Sequence, residues 1–192
     1  MKRTVLTFGL ISGAISAAMM LATLPLADKI GFDKGEILGY TTIVLSALMI
    51  FFGVRSYREN VAGGRLTFGR GFAVGILITL ISSACYVGTW EIVYFKLMPG
   101  FADKYAAHMV ERAKASGANQ QKIEETERRA SQFKVMYDKP LINVAMTFME
   151  VFPIGLVVTL ASAGILRKKP DPGGSESEGS ESSTLRHSAK IA

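Results

Sequence analysis

Glu150 is the residue best placed to do chemistry in this chain. It lies nine residues into the apolar run Leu141–Leu166, roughly 14 Å below the start of that run at helical rise. An ionisable group at such a depth in hydrocarbon is costly, and by default it marks a functional site. Asn143, Thr147 and Glu150 follow i, i+4, i+7 spacing and share one helical face. Pro153 follows three residues later. It removes the hydrogen bond to the Met149 carbonyl and is expected to kink the helix there. Together these residues form a polar notch. A neutral carboxyl donates one hydrogen bond and accepts others, so the notch suits a proton or solute pathway. It suits equally a hydrogen bond that ties two helices together, worth on the order of 1 kcal/mol. Both readings stay open. Glu91 ends another apolar run, on an antiparallel neighbour and about one helical turn shallower. A wet interface beside Trp90 would account for it without any further role.

Other reactive chemistry is sparse. No aspartate lies inside an apolar run, which argues against an intramembrane aspartyl protease. There is no His-Glu-x-x-His motif, no Gly-x-Ser-x-Gly elbow and no P-loop. The two histidines, His108 and His187, are too few for a His-rich metal site, and the single cysteine, Cys85, can form no intramolecular disulfide. Ser12, Ser16, Ser46, Ser82, Ser83 and Ser162 have no nearby base in sequence; such serines bond carbonyls within their own helix. The expectation is a protein that is not an enzyme, with no cofactor and no metal.

The elements that must position Glu150 follow from hydropathy. Four apolar runs stand out: Val5–Leu26, Ile37–Val54, Phe72–Phe95 and Leu141–Leu166. A hydrocarbon core needs about 20 apolar helical residues, so each run reads as a membrane span. The fold class expected is all-α, a four-helix transmembrane bundle within residues 1–169. Of the 192 residues 49% are hydrophobic, and four spans leave little room for a separate soluble enzyme domain. The net charge of +6 reads as basic residues collected in cytoplasmic loops, not as nucleic-acid binding, since no recognition motif accompanies it. Lys2-Arg3 before an apolar stretch also resembles a signal peptide. The stretch is long for one, and Pro25-Leu26-Ala27 is a poor cleavage site, so a retained helix is expected.

Between the spans, Ala27–Glu36 reads as a short charged link, and Gly63-Gly64 turns the chain after Arg55-Ser56-Tyr57-Arg58. Residues 96–140 read as a helical hairpin outside the membrane. Its first helix is Ala102–Ala115, stopped by Ser116-Gly117; its second, Asn119–Tyr137, is capped by Asn119. Lys2, Arg3, Arg55, Arg58, Arg65, Arg70, Arg167, Lys168 and Lys169 fall on connections that must share one side. The positive-inside rule then puts both termini in the cytoplasm and the hairpin outside it. The Ser-, Gly- and Glu-rich tail, 170–192, is expected to be disordered. Tyr40, Trp90, Tyr94, Phe95 and Tyr137 fall near the outer boundary and read as interfacial anchors.

Gly9, Gly13 and Ala17 form a small-residue ridge on the first span, and Gly71 and Gly75 form another entering the third. Such ridges let backbones approach closely, either within the chain or in a homodimer. The partners expected are the lipid bilayer and, if any protein, a second copy or a periplasmic or membrane protein docking through 96–140.

Several stretches, read in order, carry a resemblance. They are Gly35-Glu36-Ile37-Leu38-Gly39-Tyr40, Gly53-Val54-Arg55-Ser56-Tyr57-Arg58, Gly63-Gly64-Arg65-Leu66-Thr67-Phe68, Thr89-Trp90-Glu91-Ile92-Val93-Tyr94 and Phe148-Met149-Glu150-Val151-Phe152-Pro153. Up to about Lys168 the chain resembles a bacterial membrane-protein family known as domain of unknown function 4199. The resemblance implies a small four-span protein of the bacterial inner membrane, with no established activity. The leading expectation is therefore a non-enzymatic interaction or accessory component. The alternative is a small transporter or proton-coupled channel centred on Glu150.

Overall fold

A helix satisfies its own backbone hydrogen bonds, which hydrocarbon will not do for it, and this chain is helical along most of its described length. The computed structural model describes residues 1–168. The 170–192 tail lies outside them. Six α-helices follow in order: α1 (Lys2–Thr23), α2 (Ala27–Asn60), α3 (Phe68–Ile92), α4 (Phe101–Ala115), α5 (Gln120–Tyr137) and α6 (Pro140–Ile165). A 3-10 turn, Leu24–Leu26, joins α1 to α2, and a π-helical turn, Val93–Leu97, ends α3. α1, α2, α3 and α6 are each long and apolar enough to cross a membrane.

These four helices carry large apolar side chains on their outer faces and bury small polar ones among the apolar residues between them. Leu6, Leu10, Val44, Leu48, Leu80, Met149, Val157 and Ile165 are exposed. Ser12, Ser46, Thr79, Ser82, Thr159 and Ser162 are buried. Small polar residues between helices and large apolar ones outside are what lipid demands, because lipid offers no hydrophobic drive to bring helices together. α3 packs on α6, α1 and α2, while α2 also meets α1 and α6.

Glycines set the spacing. A Cβ at Gly155 would stand 2.5 Å from Thr79 Cγ2, and one at Gly75 would stand 2.8 Å from Thr159 Cγ2. Gly71 faces Ala163. Across this α3–α6 seam, Thr79 Oγ1 lies 2.9 Å from Thr159 Oγ1. On the other side of α3, Gly9 abuts Ile81 and Gly13 abuts Cys85. There Ser12 Oγ donates to the Ser46 carbonyl at 2.8 Å and meets Ser82 Oγ at 2.7 Å, tying three helices at one point. Both small-residue ridges therefore meet neighbours within the chain. Ser16, not Ala17, holds the next buried position on α1, and Ala17 is half-buried.

Three basic connections gather at one end. Val5, Val54, Tyr57, Leu66 and Leu166 share a buried cluster. Leu66 and Lys168 exchange backbone hydrogen bonds of 3.1 and 2.9 Å, tying the α2–α3 loop to the end of α6. Gly63 and Gly64, at φ +62° and +80°, make the turn that reaches there.

Two expectations need correction. Ala27–Glu36 is not a short link: it is helical apart from a break at Gly31, where φ is +72°. Hydropathy marks where a helix leaves hydrocarbon, not where its hydrogen bonds stop, and the part of α2 after Gly31, residues 32–60, spans about 44 Å. Trp90, Tyr94 and Tyr137 are not simple lipid-facing anchors either. Tyr94 and Tyr137 are buried in a cluster with Ala102, against which Trp90, Phe101 and Phe133 pack. Pro153 does not interrupt α6, whose helix runs from Pro140 to Ile165.

The seam predicts unequal costs for glycine substitution. Gly155→Ala should lower stability by about 1–3 kcal/mol, since overpacking forces the neighbours to move. Gly39→Ala meets open space and should be neutral or stabilising by up to about 1 kcal/mol through helix propensity. Thermal unfolding in detergent checks the pair, and equal losses would show that the seam is not tight.

Candidate functional site

The aromatic cluster is the floor of a cap. α4 and α5 run antiparallel, joined by Lys134 with Asp103 and, at 3.7 Å, by Lys114 with Glu127. Asn119 Oδ1 accepts the Lys122 backbone N–H at 2.9 Å and starts α5. Gly117, at φ +72°, allows the turn between the two helices. Exposed ion pairs are worth about 0–1 kcal/mol each, so rings supply most of the contact. Tyr105 meets Phe133 at 5.3 Å, and Phe133 stacks on Tyr137 at 4.6 Å. Phe101 stands edge-on to Trp90 at 5.2 Å. Burial pushes the Tyr105 and Tyr137 hydroxyls above the ordinary tyrosine range, so both stay neutral hydrogen-bonding groups at neutral pH.

The cap is fixed on three sides. The π-helical turn of α3 brings Tyr94 round to donate to Asp138 Oδ1 at 2.6 Å. α5 runs through Asp138 and Lys139 into α6. The third attachment comes from α2, beyond its apolar run. Phe32 contacts Phe101, Tyr105 and His108, with centroids 5.8, 5.6 and 5.1 Å away. Asp33 Oδ1 meets His108 Nε2 at 3.2 Å and Arg112 Nη1 at 3.3 Å.

Beneath this cap lies a cavity of about 540 Å³, bounded by parts of all six helices. Its walls are mostly apolar: Met19, Met20, Leu24, Trp90, Phe133 and Met146 are among them. Polar groups converge on it from several helices. Glu150 and Thr147 come from α6, Glu36 and Tyr40 from α2, and Tyr86 from α3, with Lys104 on the cap.

The residues singled out from sequence fare differently. Asn143 and Thr147 are buried. Asn143 Nδ2 donates to the Tyr137 carbonyl at 3.1 Å, and Thr147 Oγ1 donates to Asn143 Oδ1 at 3.2 Å. Asn143 thus fastens α6 to the end of α5, while Thr147 reaches the cavity wall. Glu91 is not among the lining residues, and its Oε1 is buried with no hydrogen-bond partner. The structure does not join Glu91 to Glu150 in one site. Among the described residues no group of three or more His, Cys, Asp or Glu could hold a metal.

Glu36, Tyr40 and Tyr86 were not singled out from sequence as site residues. Glu36 looked like one more charge in a link. Its signal was the i, i+4 spacing to Tyr40, which means something only once α2 is known to continue upstream of its apolar run.

The cap makes a testable claim. Phe101→Ala should remove about 2 kcal/mol of local stability and speed amide hydrogen exchange across residues 101–137. Lys114→Ala, which removes one exposed ion pair, should change it by less than about 0.5 kcal/mol. A cap equally sensitive to both would not be held by its rings.

A family model described as a protein of unknown function (DUF4199) matches residues 7–168. No curated protein and no solved structure matches the chain.

Proposed function

We propose that this chain, which belongs to the DUF4199 family of unknown function, is an integral protein of the bacterial inner membrane that binds an amphipathic small molecule. It acts without catalysis, as an accessory component. In this reading α1, α2, α3 and α6 form a four-helix transmembrane bundle, and α4–α5 form a helical hairpin on the extracytoplasmic face. Both termini are cytoplasmic. The gathering of the α1 start, the α2–α3 loop and the α6 end supports the shared side, and the basic residues on those connections support its assignment.

One observation carries the binding reading: Glu150 lines a capped, mostly apolar cavity together with a few converging polar groups. Ligand sites take this form, with an apolar wall for affinity and sparse polar groups for orientation. Trp90, the single tryptophan, lines the cavity and reports its occupancy. A bromine-labelled dodecyl amphiphile added to protein in nanodiscs should quench Trp90 saturably. Gly39 lines the cavity with open space at its Cβ position, so Gly39→Phe should fill the site and abolish the saturable component. Quenching that is non-saturable, or unaffected by Gly39→Phe, refutes binding here.

A second reading rests on the hydroxyls of Tyr40, Tyr86 and Thr147, which line the same cavity as the Glu150 carboxyl. A hydroxyl can both accept and donate a proton, so these groups suit proton exchange with a carboxyl. In liposomes under a pH gradient, transport predicts proton flux above empty vesicles that Glu150→Gln abolishes. Matching traces from wild type, mutant and empty vesicles would remove a simple proton pathway.

A further inference from the structure

The cavity has a charge preference built into its walls. Two carboxylates, Glu36 on α2 and Glu150 on α6, face the same space, while the described lining contributes one ammonium, Lys104. Both border the one cavity, on helices that pack against each other. A shared counter-charge is the arrangement that relieves such a pair. A hard divalent metal ion would require six or more oxygen ligands, which a wall of methionine and aromatic carbon does not supply. A soft organic cation needs less, since aromatic rings and carboxylates together suit an ammonium group.

A groove leads away from the carboxylates. Gly31, Gly35 and Gly39 recur every four residues along α2, and all three line the cavity. No atom lies within 4 Å of a Cβ built at any of them. This separates them from Gly9, Gly13, Gly53, Gly75 and Gly155, where a Cβ would come within 3.0 Å of a neighbouring side chain. The packing glycines let helices touch. The α2 glycines instead leave a stretch of the cavity wall without side chains, a recess beside Glu36.

From the carboxylate pair and this recess we infer that the cavity takes an amphiphile with an ammonium headgroup. The cation sits between Glu36 and Glu150, and the alkyl chain lies along the glycine face of α2. The inference rests on the binding reading above and adds the chemical class of the ligand. A free lipophilic amine and the headgroup of an ethanolamine lipid share this chemistry.

The test is a charge series of equal chain length, read by Trp90 fluorescence in nanodiscs of an uncharged galactolipid. The probes are dodecyltrimethylammonium, dodecanol and dodecyl sulfate. The ammonium should bind about tenfold or more tighter than the other two, the scale of one charge-assisted contact. Glu150→Gln should reduce that preference to within about twofold, leaving dodecanol binding unchanged. Glu36 is exposed, so Glu36→Gln offers a second variant whose folding is not at stake, and it should narrow the preference in the same direction. Adding ethanolamine lipid to the nanodisc separates the sources: competition with the probe assigns a lipid headgroup, and none assigns a free amine. Equal affinity for all three probes, with Gly39→Phe abolishing each, would overturn the ammonium assignment and leave the binding reading intact. Preference for the sulfate would overturn it too. No effect of Gly39→Phe on any probe would overturn both.

Discussion

The close approach of α3 to α6 is the constraint on which the other features depend. Gly71, Gly75 and Thr79 meet Gly155, Thr159 and Ala163 along one seam, with glycine on each side where the other chain needs room. Lipid gives no solvent-driven reason for two apolar helices to stay together, so contact must come from packing and interhelical hydrogen bonds. Tightness along the seam fixes the register of the two helices. Glu150 lies five residues from Gly155 on α6, about 7.5 Å along its axis. Over that distance the site passes from a contact too close for a methyl group to an open space of about 540 Å³. The cavity is what remains when helices clamped towards one end carry bulky rings and methionines at the other.

That contrast explains how the carboxyl of Glu150, an exposed residue, is accommodated. Glu150 is not packed into a helix interface, where an unmatched charge would be costly. It faces a space that Tyr40, Tyr86 and Thr147 also line. The nearby amide and hydroxyl that share its face in sequence, Asn143 and Thr147, form a chain of their own and help hold α6 to the cap. Residues on one helical face need not do one job.

Much of the helical framework was legible in the sequence, because apolar length and capping chemistry are local. α4 and α5 start and stop within a residue or so of where Asn119, Ser116 and Gly117 placed them. What could not be read was which helices touch. Whether Gly75 serves α6 or a second copy, and whether Gly39 serves any neighbour, are facts about pairing, and all these glycines look alike in a string of letters. The upstream reach of α2 was hidden for a related reason. Charged residues end an apolar run without ending a helix, so Phe32, Asp33 and Glu36 looked like a link when they are the part of α2 that meets the cap.

The cap's three attachments are unequal in kind. Towards α3 and α6 it is held by the chain itself, through the π-helical turn and the Asp138–Lys139 junction. Towards α2 it is held by side chains, among them the rings around Phe32 and the exposed pairs of Asp33 with His108 and Arg112. A lid with two covalent sides and one non-covalent side has a hinge and a latch, and here the latch is Phe32. Gly31, immediately before it, breaks the helix with a positive φ, so the latch residue begins a rigid rod and the backbone changes direction behind it. In the binding reading, how tightly the cavity holds a ligand depends on its walls, whereas how long that ligand stays depends on how often the Phe32 contacts part.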